Sequence, residues 1–331
     1  MLDLVIIGAG PAGISAAYEA KKAGLGYVVL EKGLIGNTIY NYPVGLTVFS
    51  TTNELEFVEG DLKPAREKPT REELLSYYVR FVLDNELNVN TEEAVFGVRN
   101  LDVERCFEVV SSKGAYKARN ILFAIGAMDH PRTLGVPGED LPKVHDQFRE
   151  TYPWVRKKAL VVGGGNSAGE AALFLAQEGA ETTLAIFRAD WENNDPKQGC
   201  IKYWVKQPLE EELKEHCLNL FFLGKVIEIR ETEVELESEA GERVAIPNDV
   251  VFVLIGSDAD LTMLKKLGVE TEKGKYGEVP VYDPNTFETN VPGVFVAGHF
   301  TNQRHIKGAI DSGPAVISAV VSKLSAISQT V

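Results

Sequence analysis

The stretch VIIGAGPAGISAA, residues 5–17, decides the fold. It joins an apolar run of strand length, LDLVII, to a helix-like ISAAYEAKKAG through Gly8-Ala9-Gly10-Pro11-Ala12-Gly13. In such a loop Gly8 permits the tight turn, Gly10 lets the backbone approach a pyrophosphate, and Gly13 lets helix and strand pack closely. Phosphates then rest on the helix N-terminus, where free N–H groups and the helix dipole favour negative charge. The next strand, GYVVLEK, ends in Glu31, placed to accept hydrogen bonds from a ribose 2′-hydroxyl. A lone glycine motif says little. Strand, loop, helix, strand and terminal acid in this order predict a Rossmann-like unit that binds an adenine dinucleotide with a free ribose.

The design is repeated later in the chain. KKALVV is the second strand, Gly163-Gly164-Gly165-Asn166-Ser167-Ala168 the loop, and GEAALFLAQEGA the helix. The units align without a gap, so that Gly24 matches Gly179, and Ile186 stands where the first has Glu31. Arg188 follows two residues on. Loss of the acid removes repulsion toward a 2′-phosphate, and a guanidinium can hold one by a bidentate pair. The second site, comprising Gly163, Gly165, Asn166, Ser167, Ala168 and Arg188 with Ile255 and Gly256, is therefore expected to take NADPH rather than NADH. The alternative for Arg188 is a solvated charge at a strand end.

ILFAIGA (121–127) and VFVLIGS (251–257) are both buried-type strands ending in Ile-Gly, and they bracket the second unit. The expected fold is α/β with two Rossmann-like three-layer domains, one inserted into the other. The outer domain spans 1–125 and 256–331, and the inserted one 126–255. Around these pieces, Thr70 and Glu73 form a capping box opening a helix over 69–87. RCFEVVSSKGAYKARNILFAIG alternates like hairpin strands about Lys113-Gly114, and a second such turn is expected near Ala240-Gly241.

Composition removes several classes of function. The formal net charge is −14, whereas nucleic acid and anionic membranes call for a basic surface. MLDLVII runs straight into the first loop without a basic n-region, so no secretory leader is expected. GAIDSGPAVISAVVSKLSAI is interrupted by Asp311, Pro314 and Lys323, which is wrong for a spanning helix. A cytoplasmic protein is expected. Cys106, Cys200 and Cys217 are widely separated and give neither CxxC nor zinc spacing, so no metal site is expected. Cys200, in the polar segment NDPKQGC, is the one cysteine kept as a catalytic candidate.

Taken together, the order of motifs resembles the two-domain flavoproteins that hold FAD in an outer domain and NADPH in an inserted one. The size is similar to that of the low-molecular-weight thioredoxin reductases. Finer stretches resemble the bacillithiol disulfide reductase family over nearly the whole chain: EKGLIGNTIYNYP (31–43), TVFSTTNELE (47–56), KPTREELLSYYVRFV (68–82), MDHPRTLGVPGEDLPKV (128–144) and GGGNSAGEAA (163–172). The resemblance implies an FAD site lined by Gly8, Gly10, Pro11, Ala12, Gly13, Glu31, Lys32, Asn37, Thr38, Tyr42, Ala124 and Gly126. From the late segment it adds Gly298, His299, Ala309 and Ile310. His299 stands where an aspartate is usual, and the N–H groups of Ala309 and Ile310 are expected at the pyrimidine edge of the flavin. A homodimer is the group's habit.

Two departures concern the output of electrons. Thioredoxin reductases carry CxxC shortly before the second glycine loop, but HDQFRETYPWVRKK has no cysteine, and a dithiol relay needs two neighbouring sulfurs. The bacillithiol-reductase relatives carry one cysteine inside the first loop, where this chain has Ala12, and a methyl cannot become a thiolate. His299 and His305 are candidates for a flavin contact or proton transfer, while His130, His145 and His216 read as structural. The expected function is an NADPH-dependent flavoprotein reductase that delivers electrons to a small-molecule or small-protein acceptor. The alternatives are a flavin monooxygenase, whose linker signature LPKVHDQF echoes only loosely, and a non-turnover flavoprotein that senses NADPH.

Overall fold

The structure is a computed structural model describing residues 1–101, 103–195, 201–215, 217–275, 277–303 and 305–328. Cys200 and His216 lie outside the described residues. The chain forms two compact units: residues 1–130 with 258–331, and residues 131–257. The crossings thus fall a few residues beyond the 125/126 and 255/256 boundaries expected from the Ile-Gly pairs.

In the first unit, strands Val89–Asn90, Tyr27–Leu30, Leu2–Ile7 and Ala115–Phe123 lie side by side in parallel. The long strand Ala115–Phe123 changes partner along its length. Its first half pairs antiparallel with Cys106–Ser111, and its end pairs in parallel with Val294–Val296. Alternation sends Leu4, Ile6, Val29 and Leu122 to one face, against Ala16, Ala17 and Ala20 of helix Pro11–Lys22 and Val316 and Val320 of helix Ile306–Ser328. Val5, Ile7, Val28, Ile121 and Phe123 face the other way, against Phe107, Val109, Leu264 and Phe300. With both faces covered, the strands read as unbroken apolar runs rather than as alternating ones. The helix over 69–87 is observed as Arg71–Asp84, and its capping box is reciprocal: Thr70 Oγ1 accepts from the Glu73 N–H, and Glu73 accepts from the Thr70 N–H.

The second unit repeats the plan. Val144–His145, Val250–Val253, Lys158–Val162, Glu181–Ile186 and the first half of Leu218–Ile229 run parallel in that order. The second half of Leu218–Ile229 turns, through register shifts, into an antiparallel ribbon with Glu233–Ser238 and Arg243–Pro247. Ala159, Val161, Leu184 and Ile186 pack on the helix Asn166–Gln177, while Leu160, Val162 and Ala185 pack on the ribbon. Among the described residues, no helix is long and apolar enough to cross a membrane.

Candidate functional site

Both glycine loops are built on one stereochemical scheme. Gly8 has φ 109°, and a Cβ there would lie 2.4 Å from the Ala124 carbonyl oxygen. Gly163 has φ 154°, and a Cβ there would lie 2.3 Å from the Leu254 carbonyl oxygen. Ala124 and Leu254 each precede an Ile-Gly pair, and each donates its own N–H to the strand that enters the loop, at Ile7 and Val162. The matched FAIG and VLIG segments are thus the walls against which the two loops turn. Gly126 and Gly256 complete those walls in left-handed backbone, φ 69° and 97°, which only glycine adopts without strain.

The middle glycine of each loop serves a different end. Gly10 and Gly165 each cap a twelve-residue helix in extended backbone, and a Cβ at either would meet nothing within 4 Å. Neither helix has a capping side chain or an acid in its first turn. The first N–H groups therefore face open space, as an incoming phosphate requires. Gly13, by contrast, fills its space: a Cβ there would stand 1.9 Å from the Gly8 carbonyl oxygen.

Glu31 sits at the end of its strand, 7% exposed. Its Oε2 accepts from the Ala9 N–H and its Oε1 from the Gly33 N–H, both at 2.7 Å. A carboxylate has about four acceptor positions, so two remain for a ribose. The same residue that is expected to read the ribose thus also clamps the loop. The Gly36 N–H adds a bond to the Ala9 carbonyl, which ties the following turn, with half-buried Asn37 and exposed Thr38, to the cradle.

A family model for pyridine nucleotide-disulphide oxidoreductases matches residues 5–298. The chain belongs to that family. It is 38% identical over 294 residues to a bacilliredoxin reductase of Bacillus subtilis (strain 168), covering 89% of this chain and 88% of that protein. It is 30% identical over 316 residues to a ferredoxin–NADP reductase of Ignicoccus hospitalis, covering 91% and 90%. Among solved structures, the bacillithiol disulfide reductase of Staphylococcus aureus superposes with a TM-score of 0.90 at 31% identity, covering 97% and 98%.

As a member of this family the protein is an oxidoreductase that uses FAD and a pyridine nucleotide. The open cradles at Gly10 and Gly165, each at a helix start without a side-chain cap, fit two such dinucleotides. Around the first cradle, Lys32 pairs with Asp129 at 2.7 Å, and Tyr42 packs on the core. Ala12 is 3% exposed, and its Cβ lies 3.1 Å from where a Cβ on Gly298 would stand. The methyl is thus pressed against a left-handed glycine of the late segment. His299 and His305 are exposed. Ala309 and Ile310 are buried on helix Ile306–Ser328, and the Ala309 N–H already donates to the His305 carbonyl. Of the two N–H groups expected at the flavin, that of Ala309 thus already has an acceptor within the helix.

Around the second cradle, Asn166 Oδ1 accepts from the Lys202 N–H at 2.8 Å. Ser167 is exposed, Ala168 is buried beside Gly163, and Ile255 packs half-buried against the core. Arg188 is far from a bare charge. Its Nε donates to Glu239 at 2.6 Å, its Nη1 to Glu192 at 3.4 Å, and its guanidinium lies 3.8 Å over the Phe222 ring.

His145 packs at tilted angles against Trp154 and Phe252, and burial pushes its imidazole below the usual range. His130 pairs with Asp260 at 3.5 Å. Sequence reasoning missed Arg71 and Asp190. Buried Arg71 donates to the Tyr40 carbonyl at 2.6 Å, and its backbone N–H donates to Leu46, so it fastens the segment after the first cradle. Asp190 leans on the second loop, its Oδ2 2.3 Å from where a Cβ on Gly164 would be. Neither contact has a local sequence signal.

Proposed function

We propose that this protein is an NADPH-dependent FAD reductase whose electrons leave the flavin for an external acceptor without a cysteine of the first loop. Residues 1–130 with 258–331 hold FAD, and residues 131–257 hold NADPH. When bound, the two cofactors supply hydride transfer from nicotinamide to flavin. The chain's part is to bind and orient: Gly10 and Gly165 leave room for pyrophosphate, Glu31 takes the FAD ribose, and Arg188 takes the 2′-phosphate.

The observation that carries the cysteine-free output is Ala12. It stands in an otherwise intact loop, buried against Gly298, and presents a methyl where a thiol relay would need sulfur. Cys106 is buried within an antiparallel pairing with Leu101, and Cys217 is exposed in the other unit. The relatives point to two acceptor classes, a low-molecular-weight disulfide or a small electron-transfer protein. The reading includes a cytoplasmic homodimer.

Anaerobic titration with NADPH tests the input. The flavin band near about 450 nm should bleach, and a band that persists overturns the reading. The output is tested by supplying bacillithiol disulfide and ferredoxin to the reduced protein and to its Ala12→Cys variant. Disulfide reduction should require the introduced cysteine; fast reduction by the unmodified protein overturns the cysteine-free output.

A further inference from the structure

The end of the second nucleotide cradle carries an arrangement of charge that the NADPH reading does not absorb. Strand Glu181–Ile186 lies between Lys158–Val162 and Leu218–Ile229, with Ala185 beside Val162 and Ile186 beside Phe222. The glycine loop, Arg188 and Phe222 therefore gather at one end of the sheet. There the Arg188 guanidinium carbon lies 3.8 Å over the centre of the Phe222 ring, and its Nε edge is filled by Glu239. Glu239 is not a passing surface charge. Its backbone N–H donates to the Phe222 carbonyl at 3.1 Å, so the chain that positions the ring also positions the carboxylate. Glu192 reaches the same guanidinium from one turn along the short helix Arg188–Glu192. Asp190 adds a third carboxylate against Gly164.

We infer that Glu239 is a specificity-determining residue for the pyridine nucleotide, occupying the edge of Arg188 that a 2′-phosphate needs and so holding down the preference for NADPH over NADH. A 2′-phosphate brings up to two negative charges into a site where Glu239 and Glu192 already hold the guanidinium and Asp190 stands at the neighbouring loop. It must displace Glu239 or share Arg188 with it, and like charges at that range repel. NADH brings a 2′-hydroxyl instead, a donor that a carboxylate accepts. The Arg188–Glu239 pair is exposed on both sides, 43% and 50%, and an exposed pair is weak enough for a ligand to break. Glu239 therefore tunes the discrimination without abolishing it. The inference rests on the NADPH reading of this cradle.

The test compares the purified flavoprotein with its Glu239→Gln and Arg188→Gln variants at fixed ionic strength. Calorimetry gives the Kd of adenosine 2′,5′-bisphosphate and of 5′-AMP, and stopped-flow flavin reduction gives kcat/KM for NADPH and NADH. Glu239→Gln keeps the size and an acceptor oxygen but removes the charge. It should tighten the bisphosphate about three- to tenfold while leaving 5′-AMP within about twofold, and raise the NADPH/NADH ratio by the same factor. Weaker bisphosphate binding would make Glu239 a residue that positions Arg188, and an equal change for both nucleotides would make it a diffuse charge effect; either overturns the inference. Arg188→Gln separates the two levels. If it leaves the bisphosphate/AMP selectivity unchanged, the NADPH reading fails and the inference with it. If it abolishes that selectivity while Glu239→Gln does not raise it, the inference alone fails.

Discussion

The Ser15 hydroxyl donates a 2.6 Å hydrogen bond to the carbonyl of Ile310. That carbonyl needs a donor from outside its own helix, because Ile306–Ser328 runs through Pro314, which has no N–H to return to the residue four before it. Gly313 makes the approach possible: a Cβ there would stand 2.3 Å from Ser15 Oγ and 2.7 Å from the Ala16 nitrogen. One hydroxyl on the helix of the first glycine loop therefore holds the helix that carries Ala309 and Ile310. Ser15→Ala should cost about 1–3 kcal/mol, since Ile310 is buried and its oxygen would be orphaned. In a Pro314→Ala background the restored N–H takes over, and the same substitution should cost much less. A double-mutant cycle by urea denaturation reads the coupling. Equal costs in both backgrounds would show that Ser15 has another role.

The glycines of the first loop should separate folding from cofactor binding. Gly13→Ala places a methyl on the Gly8 carbonyl and should yield little folded protein. Gly10→Ala meets nothing in the chain itself, so its apo form should melt within about 4 °C of the parent while its FAD content falls sharply. Circular dichroism and flavin stoichiometry read the two effects independently. A Gly10→Ala protein that retains a full complement of FAD would place the pyrophosphate elsewhere.

The legible parts of this molecule were those that local chemistry writes into adjacent residues. The two loops, the Thr70–Glu73 box and the hairpin turns all stand where spacing puts them. The illegible parts are meetings between residues far apart in the chain. Pro314 reads as an interruption of an apolar segment, yet the helix continues through it because Ser15 supplies the missing donor. Arg188 reads as a cation for a 2′-phosphate, or else as a solvated charge at a strand end, yet it pairs with Glu239, on a ribbon turn whose position depends on the partner change within Leu218–Ile229. Asp190 restores an acid near the second loop four residues after the position where Ile186 lacks one, and only the path of the chain reveals it.

Glu31 should matter to the loop before any cofactor binds. Both of its oxygens accept buried or half-buried backbone N–H groups, so Glu31→Gln turns an amide NH2 toward a donor and leaves that donor unpaired. The expected loss is about 1–3 kcal/mol in the apo protein, with a further fall in FAD affinity from the lost ribose acceptor. Denaturation with and without added FAD measures the two parts. A variant as stable as the parent without FAD would confine Glu31 to ribose recognition.

Glu170 carries the last prediction, in helix Asn166–Gln177 just past the second loop. It has no hydrogen-bond or ion-pair partner among the described residues, and burial alone pushes its carboxyl up to about 7. In the unfolded chain it ionises in the ordinary carboxylate range, so the folded state binds the proton more tightly. The associated stability is fully present below that ordinary range and is lost as pH rises through about 7. Glu170→Gln mimics the protonated form at every pH. It should therefore match the parent at about pH 4 and exceed it by about 1–3 kcal/mol at about pH 8. Other carboxylates titrate alike in both proteins and cancel from the difference. Paired urea denaturations across this range read the gap directly, and a gap that stays flat with pH would mean that Glu170 is ionised and well solvated in the folded protein throughout.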